Sequence, residues 1–135
     1  MPADPYEFHA PVRYLEADQQ GVVFNMWYLA YFDEAMTGFL QARGLPYAAL
    51  QAGGHDVQVV HTELDWRGAL RWGDEARVTV RPDAVGRTSF TLAFEVRGDG
   101  TDVLVTGRTV YVCIRTDGSG KTAIPEHLRS VLAGG

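Results

Sequence analysis

The chain has a single cysteine, Cys113, in 135 residues, and that scarcity removes several chemistries at once. One thiol cannot form an internal disulfide. Its surroundings, "TVYVCIR", mark it as a small buried residue on a strand rather than a thiolate nucleophile. Serine is nearly as rare: Ser89, Ser119 and Ser130 are the only ones, and none sits in a G-x-S-x-G elbow, which argues against a Ser-His-Asp hydrolase. The histidines His9, His55, His61 and His127 form no H-E-x-x-H or Cys/His cluster, and no EF-hand series is present, so no metal and no cofactor is expected. The glycine-rich pieces "QAGGHD" and "DGSGK" match neither a dinucleotide fingerprint nor a phosphate loop. Net charge is −5 and the basic residues are scattered, which disfavours a nucleic-acid partner. No apolar run approaches a membrane span, and "MPADPYEFHAPV" has no secretory pattern. The expectation is a cytoplasmic enzyme or binding protein.

What is present is an ordinary globular composition, 46% hydrophobic and 21% charged, with a length that suits one domain over residues 1–135. Residues 26–43 form the clearest helix. Tyr28, Phe32, Ala35, Met36, Phe39 and Leu40 fall on one broad face. Asn25 is the expected N-cap, Gly44 the residue just past the end, and Pro46 a stop. Gly38, in mid-helix, suggests close approach to a sheet. A short helix is expected over 46–53, and Pro125 opens another. Strand composition appears at 6–14, with Pro11 suggesting an edge, and then at 55–66, 75–84, 88–97 and 103–115. In "RTSFTLAFEV" the alternation of Phe90, Leu92, Phe94 and Val96 with smaller or polar residues is that of a half-buried strand. Short turns make neighbours antiparallel, so the fold class is α+β with one central helix on a sheet.

Chemistry concentrates in "YLEADQQGVVFNMWYLAYFDEA", residues 14–35. Asp18 precedes a turn at Gly21 and then the helix start. The first turn of a helix offers free N–H groups and the positive end of the macrodipole, which can hold an oxyanion. A neighbouring carboxylate can serve as nucleophile or general base toward the same carbonyl. On spacing alone an Asx-type turn through Gln19-Gln20-Gly21 is the preferred explanation of Asp18, because short Asp-containing turns are common. Glu16 and Asp18 are too sparse a set for a metal. Arg87, Thr88 and Ser89 follow a Gly86 turn and could grip a phosphate or simply form a solvated hairpin. His61 reads as a mid-strand structural residue or a pocket lining. Trp66 and Trp72 read as core or interface residues, with core preferred.

The segment "VRYLEADQQGVVFNMWYLAYFDEA" resembles the hotdog-fold acyl-CoA thioesterase superfamily, in its 4-hydroxybenzoyl-CoA thioesterase branch. The shared pattern is acidic-x-Asp-x-x-Gly-Val-Val-aromatic, with Tyr and an apolar helix a few residues on. "WRGALRWGDEARVTV", "VGRTSFTLAFEV" and "VTGRTVYVCIR" extend the likeness over nearly the whole chain. The resemblance implies a hotdog fold, a five-stranded antiparallel sheet wrapped around one long central helix. It implies dimers joined sheet edge to sheet edge, or tetramers of them, with sites shared between subunits. It places the catalytic carboxylate at Asp18 and the oxyanion donor at the N–H of Asn25. Arg87, Thr88 and Ser89 match the hairpin that meets pantetheine and phosphate. Trp27, Tyr28 and His61 are expected along the acyl pocket. Many members of the branch have His at the position of Asn25, and a backbone donor survives that difference. The implied activity is hydrolysis of an acyl- or aroyl-CoA thioester. The alternative is a hotdog protein that binds acyl-CoA or acyl carrier protein without hydrolysing it.

Overall fold

The computed structural model describes residues 6–133. The first residues, part of the segment judged to lack a secretory pattern, lie outside that range. The strands are β1 (Tyr6–Pro11), β2 (His55–Trp66), β3 (Glu75–Val85), β4 (Ser89–Arg97), β5 (Val105–Arg115) and the two-residue β6 (Gly120–Lys121). The helices are α1 (Trp27–Ala42), α2 (Tyr47–Ala52) and α3 (Glu126–Leu132), and a single 3-10 turn covers Tyr14–Glu16. The strands pair antiparallel in the order β1-β3-β4-β5-β2, with β6 added to β5. The five expected strands are present, and β6 is an addition too short to register in the sequence pattern. Pro11 lies on β1, an edge strand, where a missing N–H costs no ladder bond.

Alternation decides which face of the sheet is inward. Phe90, Leu92, Phe94 and Val96 of β4 are buried, while Ser89, Thr91, Ala93 and Glu95 between them are only partly covered. The buried face of α1 comprises the expected residues plus Tyr31. The helix meets β1, β3, β4 and β5 of the path. Phe39 meets Tyr6 of β1 edge to face with ring centres 6.3 Å apart. Phe32 stacks on Phe94 of β4 at 4.4 Å and lies directly over Gly107 of β5. A groove separates α1 from β2. Gly38 faces the Tyr6 ring with no room for a methyl group, so the expected close approach is there.

The two ends of α1 are made differently. At the C-terminus, Gly44 adopts φ 90°, its N–H donates to the Gln41 carbonyl at 3.0 Å, and the Leu45 N–H donates to Leu40 at 2.8 Å. That is a Schellman ending closed by the buried Leu45. At the N-terminus the expected cap is corrected. Met26, not Asn25, occupies the cap position, and no side chain bonds the free N–H groups. Phe24 instead accepts the Trp27 N–H at 3.0 Å and Met26 accepts that of Leu29 at 3.1 Å, so the helix enters through a tight turn.

Candidate active site

Asp18 sits on a seven-residue loop that folds back on itself. Ala17 and Val23 form an isolated antiparallel bridge. The Asp18 N–H donates to the Val22 carbonyl at 2.9 Å, and the Gly21 N–H donates to the Asp18 carbonyl at 3.0 Å. Gly21 has φ 77°, which a residue with a Cβ adopts only with strain. One Asp18 carboxylate oxygen accepts the Gln20 N–H at 2.8 Å, the Asx-type turn anticipated from the sequence. The side chain is exposed, and it borders a cleft of about 400 Å³ with Tyr14, Ala17, Gln19, Gly21 and Trp72. Turn and accessible carboxylate coexist.

The base of this loop is anchored by a residue whose burial the sequence did not reveal. Glu16 is 3% exposed. Its carboxylate accepts the Arg13 backbone N–H at 2.9 Å, the Arg13 Nε–H at 2.9 Å and the Tyr31 hydroxyl at 2.8 Å, with an Arg13 terminal nitrogen also at 2.8 Å. Burial pushes this carboxyl up, but the bonds from Arg13 and Tyr31 outweigh it and hold the group below the ordinary carboxylate range. Burial and the adjacent Glu16 charge together drive the Tyr31 hydroxyl well above the usual phenol range. The only sequence signal was the acidic residue two places before Asp18.

The start of α1 lies beside the loop, since the Phe24 N–H donates to the Glu16 carbonyl at 3.0 Å. Among the described residues, the N–H groups of Asn25 and Met26 donate to no backbone carbonyl. They stand at the positive end of a 16-residue helix. Asn25 lines an apolar cleft of about 130 Å³ with Met26, Leu29, Leu64 and Trp66. Leu29 is shared with a groove of about 340 Å³ between α1 and β2, bordered by Phe32, Asp33, Val59, Thr62 and Tyr111 among others. Asp18 and Asn25 therefore border different clefts within one chain.

Three expected acyl contacts fare differently. Trp27 is partly buried at the first helical position, against the core. Tyr28 is fully buried, and its hydroxyl accepts the Leu70 N–H at 3.0 Å. A bulge between Val59 and His61 pairs His61 with Val110, on the outer face of the sheet, where its ring is 3.9 Å from Glu63. Trp66 and Trp72, with core preferred from sequence, are 48% and 60% exposed, and Trp72 meets Tyr14 edge to face at 5.2 Å. Arg87 is exposed at the β3–β4 turn. The carbonyls of Arg87, Thr88 and Ser89 accept N–H groups from Ile124, Cys113 and Gly86, so this turn is fastened to β5 and the segment leading to α3. Cys113 is buried, as expected, and burial raises its thiol.

A curled antiparallel sheet closing on one long helix defines the hotdog class, and the chain has that fold. The profile of the thioesterase-like superfamily matches residues 12–132, and the chain belongs to that superfamily. A curated relative, the 1,4-dihydroxy-2-naphthoyl-CoA hydrolase of Synechococcus elongatus, is 24% identical over 129 residues, covering 94% of each chain. A hypothetical protein of Thermus thermophilus superposes with a TM-score of 0.87 at 31% identity, over 94% of this chain and 96% of the other. A Staphylococcus aureus protein solved in complex with CoA superposes with a TM-score of 0.89 over 98% of this chain and 84% of the other, at 15% identity, a likeness of fold alone. Among the described residues no helix is long and apolar enough to cross a membrane.

Proposed function

We propose that the protein is an acyl-CoA thioesterase, releasing a free acid and CoA, with Asp18 as nucleophile or general base and a helix-start N–H as oxyanion donor. The observation that carries this reading is the exposed Asp18 on a fastened loop beside the unspent N–H groups of Asn25 and Met26, in a chain of the thioesterase-like superfamily. Attack on the thioester carbonyl converts it to a tetrahedral oxyanion. A backbone N–H aimed at that oxygen lowers the barrier most where charge develops. The departing thiolate needs no strong acid, because a free thiol has a pKa near ~8.5. That requirement suits a site with one carboxylate and no histidine.

A second copy of the chain completes the site in this reading. Asp18 and Asn25 face different clefts in one chain, and both clefts are rimmed by exposed apolar side chains. Met26, Leu29, Val59, Val60 and Trp66 lie at the helix start and along β2, whose outer edge has no strand partner among the described residues. Pairing two β2 edges would cover this surface and form a homodimer, or a tetramer of two such pairs. The acyl group then lies in the groove along α1, and the exposed Arg87 offers a cation to a CoA phosphate. The Synechococcus elongatus relative, a 1,4-dihydroxy-2-naphthoyl-CoA hydrolase, supports CoA as the carrier.

The test is a panel of aromatic, short and medium-chain acyl-CoAs read by thiol release, for the parent and for Asp18→Asn. At least one substrate should turn over, and Asp18→Asn should lower kcat by about 10²–10⁴-fold with the fold retained. Near-parental turnover by Asp18→Asn would sink the assignment. The rival, a hotdog protein that binds acyl-CoA without cleaving it, takes support from the Asp18–Gln20 turn bond, which gives Asp18 a structural use. Binding with no thiol release from any acyl-CoA would favour it.

A further inference from the structure

We infer that Glu16 and Tyr31 are positioning residues that set where the Asp18 carboxylate stands relative to the start of α1. This rests on the thioesterase reading above for its consequence in rate, but its geometry is independent of that reading. The Asp18 loop is an irregular segment outside the named strands, so the sheet ladder alone cannot hold it. It is clasped from both sides by hydroxyls of one helix. On the incoming side, the Tyr31 hydroxyl donates to the buried Glu16 carboxylate, and the Glu16 carbonyl accepts the Phe24 N–H at 3.0 Å. On the outgoing side, the Tyr28 hydroxyl accepts the Leu70 N–H at 3.0 Å, and the Leu70 carbonyl accepts the Val23 N–H at 2.8 Å. The two tyrosine rings pack edge to face at 6.0 Å.

The arrangement has a specific logic. Glu16 is two residues from Asp18, and its carbonyl partner Phe24 is one residue from Asn25. One side chain thus joins the two halves of the candidate machinery to the same helix. Arg13 closes the clasp from outside, satisfying the second carboxylate oxygen. A buried carboxylate with this many donors is held in one rotamer, and its bonds are charge-assisted and short. Loss of a single donor should let the loop shift without unfolding the chain. A displacement of about 1 Å in a reacting group can cost on the order of 10²-fold in rate.

The experiment compares Tyr31→Phe, Glu16→Gln and Glu16→Ala with the parent, using turnover of the best panel substrate and amide hydrogen exchange. Tyr31→Phe keeps the ring and removes only the hydroxyl. It should lower kcat about 10–100-fold with KM within about twofold, a split that general destabilisation would not produce. Exchange should quicken at Asp18, Gly21 and Phe24 and stay unchanged in β4 and β5. Glu16→Gln keeps an acceptor oxygen for Tyr31 and should retain more activity than Glu16→Ala. Parental kcat and parental loop exchange in Tyr31→Phe overturn the inference. If the parent hydrolyses no acyl-CoA, the thioesterase reading fails on its own, and exchange at Asp18, Gly21 and Phe24 still decides the clasp.

Discussion

Gly107 is the position where a single methyl group tests how the helix lies in the sheet. It sits on β5 beneath the Phe32 ring, and a Cβ there would overlap two ring carbons, with Phe32 Cζ at 2.7 Å and the Glu63 carbonyl oxygen at 3.3 Å. Ordinary carbon contacts begin at about 3.5 Å, so the ring must retreat by about 1 Å. Its stack on Phe94 at 4.4 Å, with the planes 6° apart, resists that retreat. Overpacking of this kind costs about 1–3 kcal/mol. Removing glycine's freedom in the unfolded chain returns about 0.4–1 kcal/mol. A net loss of about 1–2 kcal/mol is expected for Gly107→Ala. At about 2.1 cal/mol/K per residue, a chain of 135 residues loses ~0.28 kcal/mol/K, so the thermal midpoint should fall by about 4–7 °C. Combining Gly107→Ala with Phe32→Leu should cost less than the sum of the two changes by at least about 1 kcal/mol, since the leucine vacates the contested space. Equilibrium denaturation of the four proteins measures the cycle. A Gly107→Ala protein within about 0.5 kcal/mol of the parent, or strict additivity, would refute the packing argument.

Two further expectations concern groups the environment has shifted. Glu16 has a folded-state pKa below its unfolded value, so its stabilisation is present above about pH 4.3 and is lost as pH falls through the folded value. The stability gap between the parent and Glu16→Gln should therefore be widest above about pH 5 and shrink on acidification, as followed by urea denaturation from pH 3 to 7. Cys113 is buried with a raised thiol, so a disulfide reagent should label none of it in the native chain and label it fully in denaturant, leaving thiol-release assays free of background.

The sequence was legible where a period repeats. Three and four-residue spacing located α1, and strict alternation located β4 and the face it buries, because each pattern is written several times over. It was not legible where one contact decides. Asn25 has the right side chain for a cap, but the Phe24 carbonyl claims the Trp27 N–H and moves the helix start by a residue. Glu16 was weighed only as half of too sparse a metal set and as the acidic residue of the family pattern. Its partner on α1, Tyr31, lies fifteen residues on, and no local rule pairs them. Tyr28 shares the helical face of the core and is buried there, and the bond from its hydroxyl to the backbone at Leu70, forty-two residues on, has no local signal. Trp66 and Trp72 were misjudged for the opposite reason: large rings favour the interior on average, but these two sit at the end of β2 and in the β2–β3 connection, beside the clefts. Asp18 stood out because charge, turn and helix start coincide within eight residues, and it was the family resemblance that turned a turn residue into a candidate.

The clasp divides the neighbourhood of Asp18 into two kinds of position. Glu16, Tyr28 and Tyr31 are buried and fully committed to hydrogen bonds, so exchange there disturbs the loop itself. Met26, Leu29, Trp66 and Trp72 rim the clefts while remaining exposed, and they support little of the chain's own fold. Substitutions at such surface positions typically move stability by only about 0.5 kcal/mol. A scaffold arranged this way can explore new acyl groups by drift at its rim while its reactive geometry stays under strong selection. Met26, Leu29 and Trp66 also lie on the surface proposed to meet a second copy, so a combinatorial library at the four rim positions is screened for assembly as well as for substrate range.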